Sequence, residues 1–316
     1  MDGSNGGNTG VTLRGARPLR VEFERLSPSG RLIALCETRE ASTEKNMRLI
    51  AGFSRGSMLQ GSAQLPVILL PLRGGLRIAD GECVRMLRPG QLLVAEPNAC
   101  LQAIGVGHAL WIALVAPTAV WRQLLDATTE TQIPEPLLLP AVHVADRAIR
   151  RTAIRLAREA RRTGSASFEG APALFRFATL LADLQAGFDP HIRRCPGRSL
   201  AQRRGVFVRL QRAYNGMEGS NARGLGIAEF ARVANYSPCH FVRTFNSVFG
   251  TTPHNVLMEQ RLQRARRLVH ETRLSITEVA RASGFEDRCA FARSFKQRFG
   301  VTATATRRSV PDFAAY

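Results

Sequence analysis

Lysine is almost missing from this chain: of 44 basic residues only Lys45 and Lys296 are lysine, and the others are arginine. Acidic residues are scarce as well, 25 in 316, which leaves a net charge of +19. No long apolar run exists. The longest apolar runs, such as LPVILLPL from Leu65, fall well short of the roughly 20 residues that cross a bilayer, so no membrane partner is expected. The six cysteines (Cys36, Cys83, Cys100, Cys195, Cys239, Cys289) form no C-x-x-C pair. That argues against a zinc site or a disulfide framework and fits a reduced, cytoplasmic setting. The six histidines are dispersed, with no His-x-His, and neither a metal nor another cofactor is expected. The opening MDGSNGGNTG has no apolar stretch behind a basic start; residues 1–17 read as a disordered tail without a secretory signal.

What is present is uneven. After residue 190 the chain carries 22 basic and 8 acidic residues, a net of +14, against 22 and 17 before it, a net of +5. A genomic bias toward arginine explains part of the excess but not the shortage of acids in the last 126 residues. A segment of that charge attracts polyanions.

The length allows two domains. Residues 30 to 116 read as short strands broken by Gly-Gly, Pro-Gly and Pro-Asn turns, which predicts a small antiparallel barrel or sandwich. From Thr118 the pattern turns helical, with helices expected over 145–162 and 171–188. The stretch 189–204 holds two prolines, a glycine and five arginines and reads as the interdomain linker. Everything after it looks helical. The expected fold is therefore α+β with two domains: a disordered tail at 1–17, a β-barrel with helices at 18–190, a linker at 191–204, and an all-α domain at 205–308.

The helical part contains a repeat. GIAEFARVANYSPCHFVRTFNSVFG (226–250) aligns with SITEVARASGFEDRCAFARSFKQRFG (275–300). Phe241, Phe245, Phe249 and Gly250 correspond to Phe291, Phe295, Phe299 and Gly300, an offset of fifty. Each copy predicts two helices and a tight turn. Ser275 with Glu278 is a capping box, and Gly226 with Glu229 a weaker one. Asn235 and Gly284 suit a left-handed turn. Ser237-Pro238 and Asp287 mark the start of each second helix. Phenylalanines four apart share one face, which is core. The opposite face carries Cys239, Val242, Arg243 and Asn246 in one copy, and Arg288, Cys289, Ala292, Arg293 and Lys296 in the other. An arginine at the same place on both free faces suits a phosphate or a guanine in a major groove. Between the copies, RLQRARRLVHE (261–271) predicts a rigid helix with Leu262, Ala265, Leu268 and Val269 inward. It can hold the two recognition helices about 34 Å apart, one turn of DNA.

Over about Gly205–Arg308 the sequence resembles the AraC/XylS-type bacterial transcription regulators. The resemblance implies a seven-helix DNA-binding domain with base contacts from Cys239, Val242, Arg243, Arg288, Cys289 and Arg293. It departs from the family at Cys239, Val242 and Cys289, where longer or polar side chains are common, and at Ala303, where proline is usual. More loosely, the β-rich part resembles the cupin-like sensor domain that precedes such DNA-binding domains. The implied partners are double-stranded DNA, a small-molecule effector, a second copy of the chain paired through the helices at 145–162 and 171–188, and RNA polymerase. The rival readings are a β-barrel enzyme fused to a DNA-targeting module and an effector-independent architectural DNA binder.

Two smaller features have plain readings beside sharper ones. GFSRG (52–56) fits the G-x-S-x-G nucleophile pattern, but a hydrolase needs a strand, turn and helix around Ser54, and a surface turn is expected. Cys239 and Cys289 are either redox-sensitive thiols or small side chains that make room for a thymine methyl; the second is expected. Arg147, Arg150, Arg151, Arg155 and Arg158 read as a solvated face.

Overall fold

The computed structural model describes residues 20–26, 46–53, 56–63, 65–80, 83–95, 99–128, 138–163, 172–219 and 225–308. The expected tail at 1–17, together with Cys36 and Ser54, lies outside them. Two compact units emerge, one of residues 1–78 and 86–187, the other of residues 79–85 and 188–316.

Among the described residues the first unit is built on eight strands: β1 (Arg20–Leu26), β2 (Asn46–Phe53), β3 (Met58–Ala63), β4 (Val67–Asp80), β5 (Cys83–Leu87), β6 (Gln91–Val94), β7 (Ala99–Val115) and β8 (Ala141–Val144). They form one sheet in the order β1-β2-β7-β4-β6-β8, with β3 on β7 and β5 on β4. Among the described residues this order does not close into a barrel, and β1 runs parallel to β2. The expected run of short antiparallel strands is therefore corrected in two respects. First, β4 and β7 are long. One half of β7 pairs with β3, placing Met58 opposite Ile104, and the other half with β2, placing Phe53 opposite Leu110. Second, Gly74-Gly75 does not end a strand. Gly74 sits within β4 at φ +69°, where a Cβ would lie 2.9 Å from the Ala109 Cα. The glycine marks a close backbone approach rather than a turn.

Strand residues alternate between two cores. Leu49, Ile68, Leu70, Ile112 and Leu114 face α1 (Thr118–Asp126), α2 (Arg147–Thr163) and α3 (Pro172–Ala186) through Trp121, Ile149, Leu156 and Phe177. Ile50, Leu69, Leu93, Trp111 and Ala113 point the other way, toward Leu59, Leu76 and Leu101. Burial on both faces is why these strands read as unbroken apolar runs. The Trp111 indole donates to the Ser57 hydroxyl at 2.9 Å. Its ring lies so close to Gly52 that a Cβ there would fall 2.1 Å from it. Thus the first glycine of GFSRG makes room for a tryptophan. The segment joins β2 to β3 with no helix behind it, so the strand-turn-helix of a nucleophile elbow is not formed.

His143 on β8 is buried and neutral. Gln185 of α3 accepts from the Leu139 N–H at 2.7 Å and donates to the Leu139 carbonyl at 3.3 Å, which points its amide nitrogen at His143 Nε2, 3.0 Å away. That ring nitrogen must then accept, and burial lowers the imidazole pKa to about 4.

The second unit is helical: α4 (Asp189–Arg194), α5 (Leu200–Glu218), α6 (Ile227–Val233), α7 (Pro238–Phe249), α8 (Pro253–Glu271), α9 (Ile276–Ala282), α10 (Arg288–Phe299) and α11 (Ala303–Arg308). The stretch 189–204, read as linker from its composition, holds α4 and the start of α5. Ser199 caps α5 by accepting from the Gln202 N–H at 3.2 Å, and Ile192 and Cys195 are buried. Among the described residues α5 to α11 make seven helices, the number the resemblance implies. Across the described residues no helix is long and apolar enough to cross a membrane.

Candidate nucleic-acid interface

The pairs α6/α7 and α9/α10 are two copies of one device. In each, the first helix ends where a peptide N–H reaches back five residues: Tyr236 to the Ala231 carbonyl at 2.9 Å, and Phe285 to the Ala280 carbonyl at 3.0 Å. The residue before each donor is left-handed, Asn235 at φ 56° and Gly284 at φ 89°. Asn235 is the single non-glycine residue with positive φ among those described. Ala231 and Ala280, both buried, leave room for the helix that crosses above them.

The starts of the helices differ more. Ser275 and Glu278 complete the full box, Glu278 N–H to Ser275 Oγ at 3.2 Å and Ser275 N–H to the carboxylate at 2.7 Å. Glycine has no side chain, so Gly226 only donates its N–H to Glu229, at 2.8 Å. These backbone donors hold the Glu229 and Glu278 carboxyls below the usual range. Asp287 caps α10 through the N–H groups of Cys289 and Ala290, both at 2.9 Å, which depress its pKa also. Ser237 stands at the N-cap of α7 but its side chain makes no capping hydrogen bond, contrary to expectation.

Phe241, Phe245, Phe291 and Phe295 are fully buried, whereas Phe249 and Phe299 are half-buried. Gly250 and Gly300 end the helices at φ 70° and 76°. The likeness continues beyond the glycines. Thr252 caps α8 through the Asn255 N–H at 3.2 Å, and Thr302 caps α11 through the Ala305 N–H at 3.1 Å. The last helix therefore forms with Ala303 in place of proline.

With its stripe of phenylalanines inward, each second helix turns the opposite face to solvent. Cys239, Arg243 and Asn246 of α7 are exposed and Val242 is half-buried; Arg288, Cys289, Ala292, Arg293 and Lys296 of α10 are all exposed. Among the described residues none of their four cationic groups is taken up in a salt bridge. The helix between the units starts earlier than expected, at Pro253, and buries Leu262, Ala265 and Val269. Sequence reading missed one pair here. Glu259 of α8 binds Arg298 of α10 by two hydrogen bonds, at 2.6 and 2.8 Å. Separated by 39 positions, the two residues leave no local signal.

Residues 230–309 match a family model described as a helix-turn-helix domain. Over 92 residues the chain is 39% identical to the HTH-type transcriptional regulator GlxA of Rhizobium meliloti (strain 1021), covering 29% of this chain and 28% of that protein. It is 30% identical over 91 residues to the virulence regulon transcriptional activator VirF of Yersinia enterocolitica, covering 29% and 34%. Among solved structures it is similar to a transcriptional regulator from Chromobacterium violaceum with an AraC-type DNA-binding domain: 27% identity, 35% of this chain, 98% of that one, TM-score 0.30. The chain thus spans about a third of the length of these two curated relatives. Its C-terminal segment carries a helix-turn-helix domain.

Proposed function

We propose that the chain is a sequence-specific, double-stranded-DNA-binding transcription regulator whose two helix-turn-helix units read successive major grooves. The observation that carries this reading is the equivalence of the two units: the same turn, the same buried phenylalanines, and arginines on the same solvent-facing side. Cys239, Val242, Arg243 and Asn246 form the first reading surface, and Arg288, Cys289, Ala292, Arg293 and Lys296 the second. Arginines supply affinity through phosphates, and the reading faces supply specificity.

In this reading residues 18–190 are a cupin-like sensor and 205–308 the DNA-binding domain. The sensor takes a small-molecule effector. Two chains pair through α2 and α3, the bound protein engages RNA polymerase as an activator in the cytoplasm, and no catalytic step is involved. The arginines of α2 qualify the pairing. Arg147, Arg151, Arg155 and Arg158 are exposed, and a symmetric contact across that face would oppose like charges, so α3 is the better candidate for the seam.

The test is selection of bound sequences from a random duplex pool with the full-length protein at near-physiological salt. Enrichment of two half-elements about one helical turn apart supports the reading. Retention of DNA with no enriched motif would favour the architectural alternative.

A further inference from the structure

The two Phe-Gly helix ends are held by different chemistry. At the end of α7, Phe249 lies among rings of α4 and α5, 5.1 Å from Tyr214, 5.6 Å from His191 and 6.1 Å from Phe207. At the end of α10, Phe299 instead has two guanidinium groups over it, Arg266 of α8 at 5.1 Å and its own neighbour Arg298 at 5.4 Å. Arg298 closes a two-pronged pair on Glu259 of α8, Nε to Oε2 at 2.6 Å and Nη2 to Oε1 at 2.8 Å. Gln263, one turn along α8, donates to the same Oε1 at 2.8 Å and fixes the carboxylate's rotamer. Two residues after Glu259, Arg261 donates to the Leu225 carbonyl at the entry to the first unit, at 3.2 Å. The same side chain packs beneath the turn at Gly284, where a Cβ would come within 3.0 Å of its Nε. One turn of α8 therefore braces both units.

We propose that Glu259 and Arg298 are positioning residues that set the phase of the second reading helix relative to the first, and with it the separation of half-elements that DNA must offer. This rests on the functional reading above. A forked guanidinium–carboxylate pair fixes direction as well as distance. The pair is half-exposed, with side-chain exposures of 48% and 35%. Such pairs add little to stability, so the fold survives their loss while the end of α10 gains freedom. The aromatic packing around Phe249 has no such dependence on charge.

The experiment measures the affinity of the full-length protein for its selected site and for duplexes with one base pair added or removed between the half-elements. It compares the wild type with Glu259→Gln, Arg298→Gln and the charge-swapped double variant Glu259→Arg/Arg298→Glu. One base pair shifts the second element by about 3.4 Å and a tenth of a turn. The wild type is expected to lose about tenfold, and each single variant about threefold or less, with the swap restoring the steeper profile. Hydrogen exchange on the free protein gives a second readout. The α10 amides from Lys296 to Gly300 should exchange about threefold faster in Glu259→Gln while those of α7 from Asn246 to Gly250 stay unchanged. Identical spacing profiles in wild type and single variants would overturn the proposal, as would unchanged exchange at α10. If wild type shows no two-element site at all, the functional reading falls and takes the proposal with it.

Discussion

Asn235 and Gly284 hold the same left-handed backbone, φ 56° and 89°, at corresponding turns of two helix pairs. Their surroundings differ. Gly284 has the Arg261 guanidinium against it, with 3.0 Å between Nε and the position a Cβ would take.

Substitutions at the two turns should therefore diverge. Asn235→Gly keeps the backbone accessible and should change stability by no more than about 0.5 kcal/mol. Gly284→Ala meets both the left-handed penalty and the guanidinium, and should cost about 1–2 kcal/mol. Denaturant unfolding of the full chain compares them; equal small effects would show that the Arg261 contact is slack.

Arg243 and Arg293 occupy matching positions on the two exposed helix faces. Replacing either by alanine should cost about 1–3 kcal/mol on the selected site if the guanidinium contacts a base edge, with little change on unrelated DNA. Equal weakening on every sequence, with a shallower salt dependence, would make that arginine a phosphate contact.

The cysteines report the same surface without mutation. Cys239 and Cys289 are exposed on α7 and α10, Cys100 is exposed on β7, and Cys195 is buried. Burial pushes the Cys195 thiol up to about 11, so it should resist a thiol-alkylating reagent in the native protein. Bound specific DNA should protect Cys239 and Cys289 but leave Cys100 reactive, as mass spectrometry of the labelled peptides can show. Protection of Cys100 alone would place the DNA elsewhere.

His143 gives the first unit a dependence on pH. Its folded pKa of about 4 lies below the ordinary value of 6.5, so the folded state binds fewer protons between the two. The stabilisation is intact above about pH 6.5 and drains away as pH falls toward 4, at up to roughly 1.4 kcal/mol per pH unit. His143→Gln should flatten that part of the thermal-stability profile. A variant that loses stability as steeply as wild type would mean that the imidazole is charged in the fold.

The helix pairs were legible because their signals are local. Caps, left-handed residues and phenylalanines every fourth position all act within a few residues, and each of these was found in place except the Ser237 side-chain bond. The sheet was less legible because its determinants are distant. Gly74 sits where it does because Ala109 and Val106 approach it, and Gly52 because of Trp111; neither neighbour is visible in the sequence around the glycine. The parallel pairing of β1 with β2 has no sequence signature at all. For the same reason the nine positions of the candidate interface could be named from periodicity, whereas Glu259 and Arg298, which brace it, could not.

Methylation interference on the selected duplex distinguishes a chain that reads two successive major grooves from one that reads a single groove. Guanine N7 methylation blocks the major groove only. Two clusters of interfering guanines about 10 base pairs apart on one face of the duplex are expected. Arg243→Ala should erase one cluster and Arg293→Ala the other. A single cluster, or interference confined to adenine N3 in the minor groove, would contradict the two-groove reading.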